Sequence, residues 1–129
     1  MQIKDYVAEI LDVISACPFV ESQNISFEER PTNAAFIYGT ITFTNASKLY
    51  FKEFVVFKYE DINIVKYGYN YLTQDGALIF RFDNAVDPQA KKFPTYPDHK
   101  HINEGLLPAL RPSLEDVLIE IAGLIKRSE

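Results

Sequence analysis

Residues 69–84 read Tyr-Asn-Tyr-Leu-Thr-Gln-Asp-Gly-Ala-Leu-Ile-Phe-Arg-Phe-Asp-Asn, and this stretch decides the fold. Asp75-Gly76 is a strong signal for a two-residue β-hairpin turn. Counting outward from such a turn gives the pairs Thr73–Leu78, Tyr71–Phe80 and Tyr69–Phe82 on one face and Leu72–Ile79, Asn70–Arg81 and Gly68–Asp83 on the other. The first face is aromatic and predicts the core, whereas the second face is polar.

The chain before and after this hairpin supplies the other predicted elements. Apolar residues at helical spacing predict a helix over 2–17, ended by Pro18. Period-two patterns predict strands over 24–30, 34–44, 48–58 and 62–73, followed by the strand that begins at Leu78. Ser113, three residues before Asp116, is the expected N-cap of a closing helix. This order predicts an α+β fold: an antiparallel five-stranded meander sheet with the N- and C-terminal helices packed on one face.

Composition limits the class of protein. A chain of 129 residues with 47% apolar residues predicts a single domain over 1–129 with its own core. No apolar run is long enough for a membrane helix, so we expect no membrane partner. The single cysteine, Cys17, favours a reducing compartment and predicts a cytoplasmic protein. The net charge of −5 argues against a generally basic surface that coats nucleic acid.

Residues 85–111 have no periodicity and contain four prolines, so they predict a long irregular loop. A loop of this length in a compact domain is usually a binding element, a lid or disordered. The aromatic residues Phe93 and Tyr96 favour an ordered loop that lies on the body of the protein.

Arg81, Asp83 and Asn84 form the first half of a candidate site. One interpretation is structural: a salt bridge at a strand end, followed by an asparagine that starts a turn. The other is functional, because Arg81 and Asp83 lie two apart on a strand and point to the same side. An arginine there can hold a phosphate or carboxylate through two parallel hydrogen bonds, and Asp83 can orient a histidine or act as a base.

Asp98-His99-Lys100-His101 forms the second half. In an extended chain His99 and His101 project to one side and Lys100 to the other. Two imidazoles and a carboxylate can ligate a divalent metal, but the sequence has no third histidine, and its single cysteine, Cys17, lies at the end of the predicted first helix. Two histidines beside an arginine or lysine also suit phosphodiester cleavage, in which one takes a proton and the other gives one. Ordinary surface histidines are the remaining interpretation.

These residues resemble the TumE family, small prokaryotic proteins regarded as the toxins of type II toxin–antitoxin pairs. The resemblance covers about residues 65–121. It is carried by Tyr69-x-Tyr71, Gly76, the run Leu78-Ile79-Phe80-Arg81-Phe82-Asp83-Asn84-Ala85, Phe93-Pro94, His99-Lys100-His101 and Pro112-Ser113-Leu114. It implies a toxin, a ribonuclease among the possibilities, and a DNA-binding helix-turn-helix antitoxin, TumA, as its partner.

The leading hypothesis is therefore a toxin that cleaves RNA without a metal or another cofactor. In it, His99 and His101 are acid and base, and Asp83 orients one of them. Arg81 and Lys100 bind phosphate, and Asn84 and Asn70 complete the predicted substrate-binding set. Two alternatives stay open: a non-catalytic module that binds a protein or ligand, and a metal-dependent hydrolase that uses His99, His101 and an aspartate.

Overall fold

The computed structural model describes residues 2–129, which form an open antiparallel sheet of eight strands and two helices. The helices are α1 (Ile3–Ser15) and α2 (Leu114–Arg127). The strands are β1 (Val20–Gln23), β2 (Ser26–Arg30), β3 (Ala34–Phe43), β4 (Lys48–Lys58), β5 (Asp61–Leu72), β6 (Leu78–Asp83), β7 (His99–Ile102) and β8 (Gly105–Pro108). A short 3-10 helix covers Pro88–Ala90.

The sheet is a meander from β3 onward. Its order is β1-β3-β4-β5-β6-β7-β8, and β2 also pairs with β3. Because β1 pairs near the end of β3 and β2 near its start, these two short strands follow one another along the same edge. The opposite edge is β8, so β6 and β7 lie inside the sheet.

Both helices pack on one face of the sheet, which we call the covered face, and the core lies between them and it. Each helix buries an apolar stripe: Ile3, Val7, Ile10 and Ile14 from α1, and Val117, Leu118, Ile121 and Ile125 from α2. The sheet supplies side chains that include Leu49, Phe51, Val55, Tyr69 and Phe80. Burying such a side chain contributes about 1.5–3 kcal/mol, so this layer dominates stability. The predicted helices and their placement are confirmed.

The predicted number of five strands is wrong. The five expected strands correspond to β2–β6, and the structure adds β1, β7 and β8. The expectation of an irregular loop over 85–111 is therefore wrong for residues 99–108, where β7 and β8 form a hairpin on β6. Each added strand has only four residues and little apolar alternation, so pairing with a neighbouring strand holds it rather than its own propensity.

The register predicted from Asp75-Gly76 is confirmed for four pairs: Tyr71–Phe80, Tyr69–Phe82, Asn70–Arg81 and Gly68–Asp83. Next to the turn it is wrong, because Leu72 pairs with Leu78 and the ladder is irregular there. The turn is longer than two residues: the amide of Thr73 donates to the carbonyl of Ala77 at 2.8 Å. Gly76 has a φ of 90°, a conformation that a glycine adopts without strain.

Ser113 caps α2 as predicted, because its Oγ accepts a hydrogen bond from the amide of Asp116 at 3.0 Å. Neither α1 nor α2 is long and apolar enough to cross a membrane, and residues 2–129 contain no other α-helix.

Candidate functional site

Pairing between β6 and β7 gathers four polar side chains on the face of the sheet that the helices leave uncovered, which we call the open face. Arg81 lies opposite His101, and Asp83 lies opposite His99. Side chains alternate along a strand, so all four point to the same side. We call Arg81, Asp83, His99 and His101 the Asp83 cluster. The separation between its members decides whether they can act together.

Asp83 is the centre of the cluster and is only 7% exposed. Its Oδ2 accepts a hydrogen bond from Nε of Arg81 at 2.9 Å, and its Oδ1 accepts one from the amide of Ala85 at 3.0 Å. Nε2 of His99 lies 3.0 Å from Oδ1, and Nε2 of His101 lies 3.2 Å from Oδ2. The two predicted halves of the site therefore converge on one carboxylate.

His99 is the inner histidine and is 1% exposed. Its Nδ1 lies 2.7 Å from the carbonyl oxygen of Pro97. A carbonyl can only accept, so Nδ1 carries a proton and donates it. Nε2 of His99 then faces Nε2 of His101 at 3.0 Å. Oδ1 of Asp83 lies at the same distance from Nε2 of His99, so a proton on this nitrogen can be donated to the carboxylate or to the second imidazole.

His101 and Arg81 form the outer part of the cluster. Their side chains are 18% and 41% exposed, and Nη2 of Arg81 lies 3.2 Å from Nε2 of His101. Burial lowers the pKa of His101, and the positive charge of Arg81 lowers it further, although Asp83 opposes the shift. His101 is therefore largely neutral at neutral pH, and a neutral imidazole next to solvent can accept a proton.

The same atoms could hold a metal ion. The ligand atoms of Asp83, His99 and His101 all lie within 4.8 Å of one another. Two histidines and one carboxylate are a recognised ligand set for divalent transition metals. The contact of His99 with Pro97 is also the kind of outer hydrogen bond that orients a ligating imidazole. Arg81 acts against a cation, because its guanidinium already contacts Asp83 and His101.

Lys100 does not join the cluster. It lies on the covered face, where its Nζ contacts Glu120 of α2 at 2.8 Å. The same ammonium lies 5.1 Å and 4.8 Å from the ring centres of Phe80 and Phe82. Lys100 therefore ties β7 to α2 and faces away from Arg81.

Asn84 and Asn70, the two asparagines predicted to bind substrate, do not contact Asp83 as Arg81 does. Oδ1 of Asn84 accepts from the amide of Tyr67 at 3.1 Å, and its Nδ2 donates to the carbonyl of Val65 at 3.0 Å. Both ends of the Asn84 side chain thus bind the backbone of β5. Asn70 pairs with Arg81 on the open face, and its Oδ1 is buried with no hydrogen-bond partner within residues 2–129.

Sequence reasoning missed a second buried carboxylate, Glu53, on the covered face. Glu53 is 3% exposed and accepts hydrogen bonds from the hydroxyls of Tyr6 and Tyr69, and Nη1 of Arg111 donates to the latter hydroxyl at 3.3 Å. We call Tyr6, Glu53, Tyr69 and Arg111 the Glu53 cluster. Its sequence signal was a glutamate at an apolar position of a strand otherwise rich in aromatic and aliphatic residues.

The fold and the site together define a class: a small α+β protein whose open sheet face carries a histidine–aspartate–arginine cluster. The family model described as Toxin TumE matches residues 10–125. The chain therefore belongs to the TumE toxin family, as the resemblance predicted, and the match extends well beyond the residues that first suggested it. No curated protein and no solved structure shows significant similarity to the chain. A toxin of this kind implies an antitoxin partner.

Proposed function

We propose that this toxin acts on RNA as a metal-independent ribonuclease and that the Asp83 cluster is its active site. One observation carries the proposal: the imidazoles of His99 and His101 lie 3.0–3.2 Å from the carboxylate of Asp83, with Arg81 against the same carboxylate. Groups that hold and exchange a proton beside a cation suit the transfer of a phosphoryl group to a nearby hydroxyl.

The reaction begins at the 2′-hydroxyl of a nucleotide. The imidazole of His101 takes the proton of this hydroxyl, whose oxygen attacks the adjacent phosphorus. The bond from phosphorus to the 5′-oxygen breaks, and the protonated His101 returns the proton to that oxygen. The products are a 2′,3′-cyclic phosphate and a 5′-hydroxyl, and no water is consumed. Arg81 donates hydrogen bonds to the phosphate, whose negative charge it offsets.

His99 and Asp83 act through His101 in this scheme. His99 is too buried to touch a substrate, and its Nε2 lies within hydrogen-bond distance of Nε2 of His101. It therefore positions His101. The acid–base pair expected from the sequence is reduced to one exposed histidine, His101. Asp83 stabilises the positive charge that His101 acquires during the reaction.

The test is cleavage of a single-stranded RNA by wild type and His101→Ala, both purified identically and dialysed against a chelator. We expect the variant to lose at least about 100-fold in rate, the usual contribution of a general acid–base group. The matching 2′-deoxy oligonucleotide should resist cleavage, because it lacks the nucleophile. Equal activity of both proteins, or cleavage of the deoxy substrate, would contradict the proposal.

A metal-dependent hydrolase is the second candidate, favoured by the close approach of the three ligand atoms. Calorimetry with Zn²⁺ and Mn²⁺ distinguishes the two. This candidate requires tight binding to wild type, lost in His101→Ala, and activity that returns only when metal is added after dialysis. Indistinguishable isotherms for the two proteins would exclude it.

We further propose that the antitoxin is a DNA-binding protein of the helix-turn-helix kind, as the family resemblance implies. Membership in a toxin family supports the existence of such a partner. Co-expression of His101→Ala with the adjacent gene, followed by purification of the toxin, tests it: a co-purifying protein that binds its own promoter supports the proposal. A toxin that purifies alone, or a partner without DNA binding, contradicts it.

A further inference from the structure

We propose that the open face of the sheet binds single-stranded RNA and leads it to the Asp83 cluster, an inference that rests on the proposed ribonuclease function. The part of the open face that would contact the RNA is formed by Tyr38, Tyr50, Lys52 and Lys66. We call this part the tyrosine–lysine surface. Neither helix covers it, because both helices lie on the other face.

The register places this surface in line with the Asp83 cluster. One row across the strands runs from Tyr50 through Asn70 and Arg81 to His101. Adjacent strands are about 4.8 Å apart, so Tyr50 lies about 14 Å from His101 along a straight path. A nucleic-acid backbone that crosses the strands would therefore reach the cluster directly.

A second row runs from Tyr38 through Lys52 and Gly68 to Asp83. The side chain of Lys52 fills the space above Gly68, because a Cβ at Gly68 would lie 3.0 Å from Cε of this lysine. Lys52 thus extends across β5 in the direction of Asp83. Its ammonium can meet a phosphate that approaches the cluster along this row.

The aromatic side chains of the surface are available for stacking. Tyr38 and Tyr50 are 40% and 43% exposed, although tyrosine usually buries most of its ring. Aromatic side chains on a sheet face stack with unpaired bases, whereas the bases of a duplex are not accessible to them. The surface therefore fits a single strand.

The charge of the face is opposite to that of the whole protein. Between β3 and β7 it carries five cationic residues, Lys48, Lys52, Lys58, Lys66 and Arg81, and two carboxylates, Asp61 and Asp83. Glu28 and Arg30, on the neighbouring edge strand, pair with each other at 2.8 Å. The whole chain has a net charge of −5, so most of its surface repels a polyanion. The open face, where cations outnumber carboxylates, is the surface that attracts one.

The experiment measures binding without turnover, in the His101→Ala background. The probe is a fluorescein-labelled uridine oligonucleotide of about twelve nucleotides, a length in the range of known single-strand sites. Addition of Tyr50→Ala should raise the Kd about tenfold, since the loss of one stacked base costs about that much. Tyr50→Phe keeps the ring and should bind like its parent.

Lys52→Ala tests the phosphate contact separately. Each phosphate contact on a single strand contributes about 0.7 to the slope of log K against log salt. The variant should reduce this slope by about that amount. Matched controls are Tyr59→Ala, a tyrosine 91% exposed in the β4–β5 turn, and Lys4→Ala on α1, neither of which should change the Kd or the slope.

The outcomes separate this inference from the proposed function. If Tyr50→Ala loses RNA binding and the wild type does not cleave RNA, the tyrosine–lysine surface is supported and the ribonuclease function is rejected. If the wild type cleaves RNA, and both Tyr50→Ala and Lys52→Ala bind and cleave it as before, the ribonuclease function is supported and the role of the tyrosine–lysine surface is rejected. A Tyr50→Ala change that weakens the antitoxin complex but leaves RNA binding intact overturns the inference, as does a parent protein that fails to bind the oligonucleotide.

Discussion

The two buried carboxylates of this protein lie on opposite faces of one sheet and have different partners. Glu53, on the covered face, accepts hydrogen bonds from two tyrosine hydroxyls. Asp83, on the open face, contacts two imidazoles and one guanidinium. Both carboxylates are almost fully buried, so burial alone does not distinguish a structural group from a functional one.

The difference lies in which partners can exchange a proton. Burial and the charge of Glu53 raise the pKa of Tyr6 and of Tyr69 far above the neutral range, so these hydroxyls keep their protons. Burial also raises the pKa of Glu53, against the effect of its two hydrogen bonds. Around Asp83, by contrast, the partners are imidazoles, which change charge near neutral pH. The Glu53 cluster is suited to holding α1 on the sheet, and the Asp83 cluster to moving protons.

The largest expected difference between the two carboxylates is in activity. Asp83→Asn keeps the size of the side chain but removes the negative charge that stabilises protonated His101. We expect RNA cleavage to fall by about 100-fold or more. Glu53→Gln, the matched change on the covered face, should leave cleavage within a few-fold of wild type. Single-turnover rates on a labelled single-stranded RNA measure both. If both variants lose activity equally, the distinction between the clusters fails.

Stability should show the reverse order. Glu53→Ala leaves two buried hydroxyls without an acceptor, and each such group costs about 1–3 kcal/mol. We expect the free energy of unfolding in urea to fall by about 2–6 kcal/mol. Asp83→Ala should cost less, because Arg81 and His101 can turn toward solvent. Tyr6→Phe serves as a check and should cost about 1 kcal/mol. A larger loss in Asp83→Ala than in Glu53→Ala would contradict this order.

The pH dependence of stability should have opposite signs at the two sites. The pKa of His101 is lowered in the folded protein. The contribution of His101 to the free energy of unfolding is therefore fully present above its pKa in the unfolded chain, about 6.5. This contribution is lost as pH falls through the lower pKa of the folded protein. The pKa of Glu53 is raised, so its contribution grows as pH falls through that folded pKa.

Urea titrations from about pH 4 to pH 8 measure both components, each by comparison with a variant. His101→Gln should flatten the loss of stability on the acid side of neutrality. Glu53→Gln should remove the gain on acidification. If His101→Gln leaves the pH profile unchanged, the histidine has an ordinary pKa in the folded protein and Arg81 does not act on it.

Much of this comparison was accessible from the sequence. The turn at Asp75-Gly76 fixed the β5–β6 register far enough to place Arg81 and Asp83 together on the polar face. The spacing of His99 and His101 placed both imidazoles on one side of an extended segment. The sequence could not place β7 beside β6, because a four-residue strand rich in polar residues has no periodic signal and depends on tertiary pairing. That pairing brings the two halves of the site together.

The same limit explains two other differences. Lys100 was expected to bind phosphate with Arg81, yet strand alternation directs it to the covered face, where α2 supplies Glu120. Its partner is 20 residues away in the chain, and no local pattern links the two. Glu53 was overlooked for a similar reason. Its hydroxyl donors come from α1 and β5, so only the packed structure shows that the buried charge is satisfied.

The smallest expected effect concerns Asn70, which lies in the row that joins Tyr50 to Arg81 and His101. Its Oδ1 is buried without a donor within residues 2–129, a cost of about 1–3 kcal/mol. Valine has a similar size and a higher strand propensity, so Asn70→Val should raise the free energy of unfolding by about 1 kcal/mol. Thermal and urea unfolding measure this change, with Thr40→Val on the same face as the control.

The sign of the Asn70 result separates two explanations of the orphaned amide. A gain in stability accompanied by weaker RNA binding means that the sequence accepts an unsatisfied polar group at this position for the sake of a ligand, as functional sites often do. A gain in stability with unchanged binding removes Asn70 from the substrate-binding set predicted from the sequence. A loss of stability shows that the amide has a partner in solution, and Arg81, directly opposite on β6, is the first residue to test.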